Sequence, residues 1–150
     1  MLYTAADVQD YHDLFSSADH EISIFTGKHD IEYADDFIIA ACNFASRPEN
    51  TLHIACQCGK DMAQCQILNA ILMAPERRGM VVLYNAHKFR GKPYFILADE
   101  SAYRIEIPEF AETILDYDDQ EETARLHTVF NQIISSSSGK SYPPSPLKAN

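Results

Sequence analysis

Apolar residues along the chain switch between a helical period and an alternating one, and the switches mark out its elements. Val8, Tyr11 and Phe15 share one side of a helix that a Thr4/Asp7 capping box opens and that runs to about Ser17. Ile22 and Ile24 share a face of a short strand, Glu21–Thr26, which ends at the loop Gly27–Asp30. Phe37, Ile38, Ala41, Cys42 and Ala45 form a second helical stripe within Ile31–Ser46, stopped at Arg47–Asn50. Thr51–Gln57 is a strand apolar enough on both faces to be central. Asp61 caps a third helix whose inner face is Met62, Cys65, Leu68, Ile71 and Leu72, closed by Pro75. Met80–Tyr84 is the third strand.

Pro93 then blocks helix, and Tyr94–Ala98 is a strand-forming run too short for a helix. Turn chemistry at Asp99–Ala102 joins it to Tyr103, Ile105 and Ile107, which alternate with Arg104 and Glu106. A β-hairpin at the centre of a sheet is the expectation. Asp118 and Asp119 followed by Glu121 and Glu122 put acids at a helix N-terminus, and Leu126, Val129, Phe130, Ile133 and Ile134 carry that helix to Ser135. The order α-β-α-β-α-β-β-β-α predicts a single α/β domain over residues 1–135. Its sheet is expected to be mostly parallel, with a C-terminal antiparallel hairpin and helices on both faces. Residues 136–150, rich in Ser and Pro, read as a disordered tail that a neighbouring chain could hold.

Charge narrows the function classes. A net charge of −10 argues against direct binding to nucleic acid or to an anionic membrane. Ten of the 22 Asp and Glu lie in Asp99–Glu122 with only Arg104 to offset them, whereas five of the 12 Lys and Arg lie in Arg77–Lys92. The basic stretch suits the rim of a pocket. The acidic one suits a partner-facing surface made of Glu109, Glu112, Asp116, Asp118 and Asp119. No apolar run reaches the ~18 residues of a membrane span, and Met1–Thr4 opens no secretory signal, so a cytoplasmic protein is expected. Cys42, Cys56, Cys58 and Cys65 are then expected to be reduced. His53, Cys56, Cys58 and Cys65 do not make a zinc set, because C-x-C is not knuckle spacing. No metal or cofactor is expected, and the Gly-rich phosphate loop, G-x-S-x-G, H-E-x-x-H and C-x-x-C are all absent.

The stretches HEISIFT, RGMVVLYN, KPYFILAD followed by AYRIE, and EETARLHTVFNQII stand in an order that resembles one half of the phospholipase D superfamily. In that family a strand carries His-x-Lys, four residues, then Asp; here the corresponding positions are Lys92, Tyr94 and Asp99. The resemblance implies chemistry in which a histidine attacks phosphorus, a lysine neutralises phosphate oxygens and a second histidine protonates the leaving group. Lys92 is protonated near its ordinary pKa and is no nucleophile, and Tyr94 brings no positive charge. The family's Gly-Ser-x-x-Asn falls near Glu106–Glu109 and is missing. The resemblance therefore implies a degenerate, non-catalytic half-domain, paired as a homodimer and acting on an unidentified protein partner.

Lys92, Tyr94 and Asp99, with His87 and Arg90 beside them, form a candidate anion pocket. An Asp opening a tight turn also bonds backbone amides, which is the plainer role for Asp99. His87 in His87-Lys88-Phe89 nearly restores a His-x-Lys, and His29 sits on a strand-terminal loop between Lys28 and Asp30. These support a first alternative, a phosphodiesterase (nuclease or phospholipase) with an altered site. A second alternative is an acidic decoy inhibitor of a nucleic-acid-binding protein. His12, His20, His53 and His127 have no partner that sequence names.

Overall fold

The computed structural model describes residues 12–26, 35–56, 70–74, 77–86, 94–107 and 112–143. Seven strands form one sheet: β1 (Glu21–Thr26), β2 (Thr51–Cys56), β3 (Met80–Asn85), β4 (Tyr94–Ala98), β5 (Ala102–Ile107), β6 (Glu112–Asp116) and β7 (Ser138–Tyr142), in the order β6-β5-β4-β1-β2-β3-β7. The helices are α1 (His12–Ser16), α2 (Asp35–Phe44) and α3 (Gln120–Ser135), with a further helical turn at residues 70–72. The expected third helix lies outside the described residues apart from that turn.

The period-2 pattern of the strands builds two cores on the two faces of the sheet. Ile24 pairs with Ile54 and Ile96, and Ile54 with Leu83; one step along, Ile22 pairs with Leu52 and Ala98, and Leu52 with Val81. Both rows pack against Leu14 and Phe15 of α1 and Phe37, Ala41 and Phe44 of α2. The intervening residues Phe25, Ala55, Phe95, Leu97 and Tyr103 face the opposite way, onto Leu126, Phe130 and Ile133 of α3. Phe15 sits edge-on to Phe37 and Phe44, and Phe130 edge-on to Phe95, which gives each core aromatic contacts beyond simple burial. A slip of one residue in any inner strand would exchange the two cores, so the register is tightly specified.

Three expectations change. Of the pairings, only β1–β2 and β2–β3 are parallel; β1–β4, β4–β5, β5–β6 and β3–β7 are antiparallel, so the sheet is mixed rather than mostly parallel. The acidic stretch contains a strand, β6, at the edge of the sheet, a position that tolerates acidic residues, and its Leu115 reaches the core. The Ser-rich segment after α3 is not a loose tail throughout: Ser138–Tyr142 pairs with all but the first residue of β3. Low strand propensity hid it, and tertiary contacts override propensity there.

The cysteine expectation also changes. Cys56, buried at the end of β2 and facing the α1/α2 layer, takes part in a disulfide, and its partner lies outside the described residues. The expectation that all four cysteines are reduced is corrected at Cys56. Cys42 on α2 is a free thiol directed at the Ala70 carbonyl, 3.8 Å away, and burial pushes its pKa up. Among the described residues, no helix is long and apolar enough to cross a membrane.

Candidate functional site

β4 runs antiparallel to β1, with Phe95 opposite Phe25 and Ala98 opposite Ile22. Its first residue, Tyr94, therefore stands at the edge where β1, β2 and β3 end. Asp99 stands at the other edge, where β1 begins. At ~3.4 Å per residue the two are about 17 Å apart. Tyr94 and Asp99 therefore stand at opposite ends of β4 and do not share one pocket. His87, Arg90 and Lys92, like His29, lie outside the described residues.

Asp99 instead organises the far edge. It takes a left-handed backbone conformation, φ 49°, which aspartate tolerates better than most residues and which lets a three-residue loop close the hairpin between Ala98 and Ala102. Its carboxylate accepts three backbone N–H groups at the start of β1. Oδ2 takes that of Asp19 at 2.5 Å, and Oδ1 those of His20 at 3.2 Å and Glu21 at 2.9 Å. The Asp99 N–H donates to the Glu21 carbonyl at 2.9 Å. The turn aspartate thus bonds backbone amides as expected of a plain turn residue, but amides some eighty residues away in sequence.

Two further bonds fix the same turn to α3. The Asp119 N–H reaches the Ser101 carbonyl at 3.0 Å, and His127 Nε2 lies 2.5 Å from the Asp99 carbonyl oxygen. A carbonyl only accepts, so that ring nitrogen carries the proton. Sequence gave no partner for His127. The available signal was Gln120, His127 and Asn131 at helical spacing, which with Ala124 line an open groove of about 960 Å³. Asp19, His20, Glu21, Asp99 and Glu100 line its other side. On the neighbouring strand His53 Nε2 donates to Glu21 Oε1 at 3.2 Å, and its ring stacks on that of Tyr84, centroids 6.3 Å apart. Its described lining holds four carboxylates and no Lys or Arg, a charge that disfavours phosphate. Among the described residues no cluster of His, Cys, Asp and Glu could hold a metal ion.

The proposed acidic surface is partly occupied by local work. Asp119 caps α3, its side chain accepting the Glu122 N–H at 2.9 Å, and Asp116 accepts the Asp118 N–H at 2.9 Å. Asp118 is exposed, Glu112 opens edge strand β6, and Glu109 lies outside the described residues.

No known family profile and no curated protein matches the chain. Solved structures do. Nuc from Salmonella typhimurium, a phospholipase D family member, superposes with a TM-score of 0.64 at 11% identity, over 96% of this chain and 97% of its own. NucT from Helicobacter pylori gives 0.64 at 17% identity, over 93% and 98%. TrmBL2, an archaeal chromatin protein whose structure shows a novel mode of DNA binding, gives 0.59 at 10% identity over 92% of this chain. The chain spans about half the length of TrmBL2, 54% of it. The protein has a phospholipase D-like fold.

Proposed function

We propose that this chain is a non-catalytic interaction protein built on a phospholipase D-like half, acting as a homodimer on a protein partner. One observation carries the reading: the aspartate that matches the family's position is committed to three backbone N–H groups at the β1 start, a scaffold role. It is supported by Lys92 and Tyr94 standing where the resemblance asks for histidine and lysine. The similarity to TrmBL2 supports it too, since a chromatin protein uses a comparable fold. Direct contact with DNA is a poor fit for a chain of net charge −10.

The test is a phosphodiesterase assay of the purified chain on bis(p-nitrophenyl) phosphate, single-stranded DNA and phosphatidylcholine. Turnover indistinguishable from buffer is expected, unchanged in His87→Ala and Lys92→Ala. A measurable rate that either substitution abolishes overturns the reading in favour of an altered phosphodiesterase.

A further inference from the structure

Edge strand β7 is held by contacts that any copy of the chain can supply. Its residues pair one-for-one with β3, from Val81 opposite Tyr142 to Asn85 opposite Ser138. Gly139, Lys140 and Ser141 are exposed. Gly139 lies under the Tyr84 ring, where an added Cβ would come within 3.0 Å of two ring carbons. Tyr142 packs against the α1/α2 core. Beyond it, the buried Arg77 guanidinium donates from Nη1 to the Tyr142 carbonyl and from Nη2 to the Pro143 carbonyl, both at 2.9 Å. The β3 edge is thus a receptor for one peptide: a glycine against Tyr84, a large apolar residue three positions on, and two free carbonyls for Arg77.

The link back to α3 is only Ser136 and Ser137, whose backbone N–H groups donate to the Ile133 carbonyl at 3.3 Å and the Ile134 carbonyl at 3.1 Å. Ser136 caps the helix at φ −99°, without the left-handed glycine that would lock the exit direction. The helix-end carbonyls are served by the serines' own hydroxyls: Ser136 Oγ to Gln132 O at 3.3 Å and Ser137 Oγ to Ile133 O at 2.7 Å. All of these are local bonds within the last turn of α3, and opening the link gives up only those that Ser137 makes.

We infer that β7 is an exchangeable strand, and that its partner is a second copy of this chain: two molecules trade Ser138–Tyr142 across a two-fold axis, each β3 receiving the other's strand. Every contact holding β7 is kept in the exchanged form, so closed monomer and exchanged dimer differ mainly in link conformation and the entropy of association. This goes beyond the proposed function and stands whether or not the chain cleaves phosphodiesters.

The experiment mixes full-length Val82→Cys with full-length Ser141→Cys, residues that face each other across β3 and β7. The two are unfolded together, refolded at high concentration and oxidised. Exchange yields a covalent dimer, double the 16.9 kDa mass, whose digest contains an 82–141 disulfide peptide. Deleting Ser136 and Ser137 is expected to raise the dimer fraction severalfold, because the shortened link cannot fold back. If the double variant Val82→Cys/Ser141→Cys closes only within one chain and the mixture yields no 82–141 peptide, the inference is wrong. A dimer lacking that peptide leaves the homodimer of the proposed function standing and removes only the exchange.

Discussion

Asp99 is the residue on which three elements converge, since its turn is tied to the start of β1 through the carboxylate and to α3 through His127 and the Ser101 carbonyl. Asp99→Ala removes three accepted bonds and puts a Cβ residue without a local side-chain bond at positive φ; a loss of roughly 2–3 kcal/mol is expected in urea denaturation. Asp99→Asn keeps tolerance of that conformation and one acceptor oxygen, so about 1 kcal/mol is expected. Equal losses in the two would show that turn conformation and carboxylate are not separable contributions. Tyr103 reports on the same region. Burial first, then the charges of Asp119, Asp116 and Glu122, hold its hydroxyl above the ordinary pKa of 10.0. The folded chain therefore keeps this proton more tightly than the unfolded chain does. Its stabilisation is whole below pH 10 and is lost as pH rises through the raised value. Denaturation midpoints are expected to fall above that pH, less steeply in Tyr103→Phe.

At the level of elements, each edge of the sheet is finished by a different device. β6 carries acids at both its ends, and β7 is pinned at its far end by Arg77. The same arginine bonds the Gly79 carbonyl at 3.0 Å, which sets the loop leading into β3. An added Cβ at Gly79 would sit 2.6 Å from the Asn50 carbonyl oxygen and 2.8 Å from that of Arg47, both backbone atoms that cannot swing away. At Gly139 the nearest obstacle is the Tyr84 side chain at 3.0 Å. Thermal denaturation of Gly79→Ala is expected to show a loss of roughly 1–3 kcal/mol, and Gly139→Ala a smaller one. The reverse order would mean that the Tyr84 ring, boxed between His53 and Phe130, is the less yielding neighbour.

Across the whole molecule, the groove at the end of the sheet where β1 begins is lined with carboxylates. The described arginines of the basic stretch, Arg77 and Arg78, lie just before β3, at that same end of the sheet but two strands away from β1. An anionic ligand would be repelled by that groove, most strongly at low ionic strength.

Much of this was legible in the residues. Alternation in EISIFT and the near-continuous apolar runs in TLHIAC, MVVLY and YFILA placed the inner strands, since a strand buried on both faces needs apolar residues throughout, and the acids at Asp118–Glu122 announced the start of α3. The hairpin turn at Asp99 and the phospholipase D-like order were legible for the same reason: local chemistry and periodicity write themselves into neighbouring positions. Strand direction, the joining of Asp99 to Asp19–Glu21, the bond between His127 and that turn, and the recruitment of Ser138–Tyr142 depend on groups far apart along the chain. Those were settled only when the sheet brought them together. Long-range pairing is chosen by the packing energy of the whole, and a stretch such as SGKSY holds too little preference of its own to reveal it.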